Sequence, residues 1–308
     1  MTMRTRLLAL ALAVTTLASL HLSAAAHAHD SPVKHTHLAM TNQPRTAMVW
    51  YRDLVYDKSF RDPDQVSLDL YVPDPTKEKM PVALFVHGGG FRSSDKAYYK
   101  DLGDKPEWFT QKKGFIFASM NHRLLPDGGY PASFQDVATA LKWLSDNIAQ
   151  YGGDPSQIFL IAHATGLHSA ALVATDETFL RAVGRDLSLI KGLVGIDGAF
   201  FDVTKSRGGV VQASLPNADE AMLRKASPLF HVEKGKAIPP MLILYGAQGG
   251  DVKDQSERMA AALQAAGVMA KAMEMAGKDH FTANEHIGTV GDATTMAVDA
   301  FLDGLTRK

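Results

Sequence analysis

The chain has 308 residues, 46% hydrophobic and 21% charged, with a formal net charge of −1 and no cysteine. This is the composition of a folded soluble protein long enough to bury one large core. The near balance of charge excludes an electrostatic footprint for nucleic acid or for an anionic membrane surface, and without cysteine neither a disulfide nor a lipid-bearing thiol is available.

Arg4 and Arg6 precede an apolar run from Leu7 to about Leu20, and Ala26-His27-Ala28 sets small residues at the spacing of a cleavage site. Residues 1–28 therefore read as a signal peptide cut near Ala28, the run being too short for a comfortable membrane span. The mature chain is expected in the periplasm or outside the cell, with no membrane attachment. Residues 29–46 read as a flexible leader carrying His29, His35 and His37. A histidine tract can collect a transition metal, but no carboxylate or cysteine is placed to close a site, so no metal is assigned.

Residues 47–308 alternate strands and helices. Ala47–Tyr56 and Val66–Val72 read as an antiparallel hairpin turned at Asp62-Pro63-Asp64. Met80–Val86 and Gly114–Met120 are continuous apolar runs of the kind a strand covered on both faces requires. Phe134–Tyr151 has apolar residues at helical spacing and ends at Gly152-Gly153. Strand Ile158–Ile161, helix Leu167–Ala174 and strand Ile190–Ile196 follow, then strand Met241–Tyr245, helix Gln255–Ala266, strand Met269–Met275 and helix Ala293–Leu305. Such alternation predicts an α/β fold with a mainly parallel sheet, helices on both faces, and a site beyond the carboxyl ends of the strands. The aperiodic stretch 197–239 reads as a small cap insertion over that site.

Three segments at strand ends carry chemistry. His87-Gly88-Gly89-Gly90-Phe91 follows the strand ending at Val86, and glycines there let backbone amides approach a substrate oxygen. Gln157 to His168 runs from a strand through a tight turn, His163-Ala164-Thr165-Gly166, into an apolar helix. Gly277-Lys278-Asp279-His280-Phe281 follows the last strand. Together with Asn121-His122-Arg123-Leu124-Leu125-Pro126 and Pro131 to Val137, these segments resemble the α/β-hydrolase superfamily. Within it the chain is similar to the carboxylesterase branch related to hormone-sensitive lipase and to bacterial feruloyl or acetyl-xylan esterases, over roughly Tyr51–Leu305.

The resemblance implies ester hydrolysis without a cofactor, by a serine, an acid and a histidine in that chain order. It places the histidine at His280, the oxyanion donors at His87, Gly88, Gly89, Gly90 and the amide of Thr165, and the acid in the loop after Met241–Tyr245, where Asp251 is the first carboxylate. The nucleophile position reads Ala164, with Thr165 turning its side chain elsewhere and Ser169 a helical turn away. A methyl group can neither attack nor be deprotonated, so hydrolysis is expected to be weak or absent. Three readings stay open: a serine replaced by substitution in an active carboxylesterase, a natural loss leaving a ligand- or partner-binding protein, and base chemistry by His280 and Asp251 without a covalent intermediate. In each the expected ligand is a small carboxylic ester or carboxylate.

Overall fold

The computed structural model describes residues 34–37, 48–73, 77–206, 209–246 and 250–306. The expected signal peptide and most of the expected leader lie outside them. Lys34–His37 (β1) pairs antiparallel with Met48–Val55 (β2), His37 standing opposite Met48. This part of the leader, expected to be flexible, is thus the outer strand of the sheet.

Ser67–Val72 (β3) completes the expected hairpin with β2, the turn being capped where the Asp64 N–H donates to the Asp62 carboxylate at 3.3 Å. Six parallel strands follow: Met80–Val86 (β4), Ile116–Met120 (β5), Gly153–His163 (β6), Ile190–Ile196 (β7), Met241–Gly246 (β8) and Ala270–Met275 (β9). The order across the sheet is β1-β2-β3-β5-β4-β6-β7-β8-β9. It is the mainly parallel, doubly covered sheet that the alternation predicted.

The unbroken apolar runs follow from that double cover. Val82, Leu84 and Val86 of β4 join one core cluster with Phe134, Val137, Leu141 and Leu144, whereas Ala83 and Phe85 join a second with Phe109, Phe117, Val298 and Leu302. Alternate residues of one strand therefore feed opposite faces, which keeps β4 apolar along its length. The helix Ala132–Asn147 supplies the first cluster at helical spacing, tightens into a 3₁₀ turn at Ile148–Tyr151, and stops at Gly152, whose φ is +83°. Its Asp136 is buried and receives Arg123 Nε and Nη2 at 2.9 and 2.6 Å, which fastens the segment after β5 to the start of the helix.

The link between β4 and β5 was not anticipated as helical. It contains the short helices Tyr99–Leu102, Lys105–Glu107 and Trp108–Lys113. Each is too brief to show a hydrophobic period. Residues 197–239 hold the helices Gly209–Ser214 and Glu220–Lys225, with a satellite cluster of Val203, Val211, Leu215, Leu223 and Ala226. Among the described residues no helix is long and apolar enough to cross a membrane.

Leu84 lies at the centre of β4 with no exposed surface. Leu84→Ala is expected to lower unfolding free energy by about 2–5 kcal/mol through lost burial and a residual cavity, read in urea as a shifted midpoint at constant slope.

Candidate active site

One residue separates the end of β6 from the helix Thr165–Thr175. Ala164 adopts φ +51°, ψ −120°, a backbone state that costs a non-glycine residue about 1–3 kcal/mol. Packing enforces it from both sides. The Ala164 N–H donates to Ile196 O at 3.0 Å, at the end of β7. Gly166 seats the helix on β4 so closely that a Cβ there would lie 2.3 Å from Val86 O and 2.4 Å from His87 O. Gly88 is constrained likewise, since its Cβ would meet that of Ala164 at 2.9 Å. The turn presents residue 164 beyond the strand ends, yet what it presents is a methyl group.

His280 follows β9 and is partly exposed. Its Nδ1 lies 2.6 Å from Asp197 Oδ2, not against Asp251. Asp197 is the residue immediately after β7, held at φ +45°, and its other oxygen accepts the Gly246 N–H at 2.6 Å at the end of β8. Burial pushes the Asp197 carboxyl up, but the bonds from His280 and Gly246 outweigh it and hold the group below the ordinary carboxylate range. Asp251 instead opens the helix Asp251–Ala265 and is exposed there, where a negative charge suits the helix dipole. The assignment of the acid to Asp251 is thereby corrected. The missed signal was an aspartate directly after a doubly covered strand, at the sheet edge where ligand sites form.

Gly89 and Gly90, with φ of +92° and +67°, line a cavity of about 710 Å³ together with Ala164, Thr165, His163 and His280. Phe200 and Val210, from the 197–239 segment, also line it. His87 does not. It is buried, its Nδ1 3.0 Å from Gly88 O, and it stacks on His122 at 4.4 Å; burial lowers its pKa and keeps it neutral. The Thr165 hydroxyl, expected to point elsewhere, accepts the Gly90 N–H at 3.1 Å. Ser169 is fully buried in the helix. Beneath the site, His163 Nε2–H donates to the His280 carbonyl at 2.9 Å. Burial, reinforced by the nearby His280, drives the His163 pKa down to about 3. Among the described residues no group of three or more His, Cys, Asp or Glu is placed to hold a metal ion.

The chain is similar to several known proteins. The family BD-FAE matches residues 68–190. A probable isoprenylcysteine alpha-carbonyl methylesterase of rice is 27% identical over 249 residues, 74% of this chain and 58% of the relative. The chain has the α/β-hydrolase fold of its esterase neighbours. Bovine arylacetamide deacetylase is 35% identical over 125 residues, 39% of the chain and 30% of the relative. Among solved structures, esterase B of Lactobacillus rhamnosis superposes with a TM-score of 0.68 at 21% identity, covering 84% of this chain and 86% of the other. The chain spans a little over half the length of the curated methylesterases it matches.

In an Ala164→Ser background, Asp197→Asn is expected to lower ester turnover by on the order of 10⁴ through loss of the oriented tautomer, whereas Asp251→Asn leaves it unchanged. Steady-state rates on one ester decide between the two. The folded-state pKa of Asp197 lies below its unfolded value, so its bonding stabilises the fold above the ordinary carboxylate range near ~3.9 and fades as pH falls through the folded value. Denaturation of the parent chain and its Asp197→Asn variant should therefore converge in acid.

Proposed function

We propose that the cavity binds a small carboxylic ester with its carbonyl oxygen toward the amides of Gly89 and Thr165, and that the chain as written hydrolyses this ester weakly or not at all. The observation that carries the reading is a catalytic frame without its nucleophile. The strained elbow, the His280–Asp197 pair and the glycine turn border one cavity, while the apex holds only a methyl group. Strain at a non-glycine residue is maintained where function once repaid it. The geometry therefore supports an ancestral serine at position 164, whether lost naturally or by substitution. The names of its relatives, esterases and a deacetylase, support the same substrate class. Arg4, Arg6 and the apolar run after them support export of the chain.

The intact pair also favours one slower route. His280 Nε2 takes a proton from water, the hydroxide adds to the ester carbon, the oxyanion rests on the backbone amides, and the imidazolium returns the proton to the departing alcohol. No covalent intermediate forms. Such turnover is abolished by His280→Ala and untouched by serine-directed phosphonates.

Restoring the hydroxyl tests the main reading. The Ala164→Ser variant is expected to hydrolyse short-chain p-nitrophenyl esters at least ~10³-fold faster than the parent, because the base and the oxyanion donors are already oriented. A folded variant that stays at background would overturn it.

A further inference from the structure

The cavity also carries charge that ester hydrolysis does not use. Asp95 and Asp101 line it, and among the described residues no lysine or arginine does. Asp101 Oδ2 accepts the Ser94 hydroxyl, while Oδ1 stands 4.0 Å from His163 Nδ1. That nitrogen is buried, the residue being 3% exposed, and has no hydrogen-bond partner. Because Nε2 donates its proton to the His280 carbonyl, Nδ1 of the neutral ring holds a lone pair. Two acceptors thus stand 4.0 Å apart, the carboxylate facing the cavity and the nitrogen buried behind it, and that nitrogen is left unsatisfied.

Asp95 adds a second negative charge. Burial raises its pKa, but bonds from Asn121 Nδ2 at 2.8 Å and the Ala97 N–H at 2.7 Å prevail and keep it ionised. Two nearby lysines hold other partners. Lys96 pairs with Asp53 and Asp69 at 2.7 and 3.2 Å. Lys105 is fully buried and donates to the carbonyls of Asp101 and Asn284 at 2.8 and 2.7 Å. Tyr98 and Phe281, also lining the cavity, are 41% and 63% exposed and offer ring faces to a cation.

We propose that the site selects esters bearing a protonated amine, whose N–H groups donate to the Asp101 carboxylate and whose charge is met by Asp101 and Asp95. This rests on the ester-binding reading above and names its substrate class. A free carboxylate, by contrast, meets like charge, so an acid product is repelled rather than retained.

Three esters of one length separate the contributions. Ethyl 6-aminohexanoate, ethyl heptanoate and monoethyl heptanedioate end in an ammonium, a methyl and a carboxylate. Titration calorimetry on the intact chain at low salt is expected to rank them in that order, the amine binding about tenfold or more tighter than the methyl. In Asp101→Asn that advantage should fall to within about threefold while the affinity for ethyl heptanoate is unchanged. Equal binding of the amine and the methyl ester, or tightest binding of the carboxylate, overturns the proposal and leaves ester binding intact. Failure of all three esters to bind sinks both readings. Should Asp101→Asn not fold, Asp95→Asn, at an exposed position, serves as the second variant, and the ranking on the parent chain remains decisive.

Discussion

A single backbone hinge organises this molecule. Residue 164 is held at φ +51° because three strand ends and one helix start meet around it: β6 delivers it, β7 accepts its amide, and Gly166 presses the following helix onto the end of β4. Moving any of these would move the others. The same convergence sets Asp197 and Gly246 side by side at the ends of β7 and β8, which is where His280 finds its partner. The site is therefore a property of the sheet edge, and its geometry stands with only a methyl group at residue 164.

Buried polar groups hold the surrounding loops to that edge. Lys105 joins the segment ending at Leu102 to the helix Thr282–Glu285, two residues beyond His280, through carbonyls of Asp101, Leu102 and Asn284. Three acceptors match the three donors of an ammonium, although burial pulls its pKa down to about 7. Gly103 is required at the same seam, since a Cβ there would stand 2.4 Å from Glu285 O. The cavity wall carrying Asp101 and the loop carrying His280 are thus fastened as one piece.

Much of the fold was legible because double burial writes itself plainly. Met80–Val86 and Ile190–Ile196 have the bounds read from their apolar runs. The elbow was legible too, as a strand, a tight turn and an apolar helix in succession. The acid was misread because Asp251 is the first carboxylate after Met241–Tyr245, whereas Asp197 looked like the first residue of an aperiodic insertion; only packing reveals that β7 ends beside His280. The helices between β4 and β5 were invisible for a different reason: a single turn contains no period to detect. Asp101 and Lys105 were hidden with them. The side chain of Thr165 was misjudged because its aim depends on how tightly the glycine turn approaches the helix, a distance no sequence pattern encodes.

That last contact turns the protein's own threonine into an internal competitor. The Thr165 oxygen occupies the Gly90 amide that an incoming carbonyl would seek, so the empty site is already saturated at one of its donors. A ligand that needs this donor must first evict the hydroxyl, and its measured affinity is diminished by the fraction of molecules in which the hydroxyl has swung away. Ligands satisfied by Gly89 and the Thr165 amide alone escape that competition. Occupancy of the pocket is then governed as much by a rotamer of the protein as by the shape of what enters it.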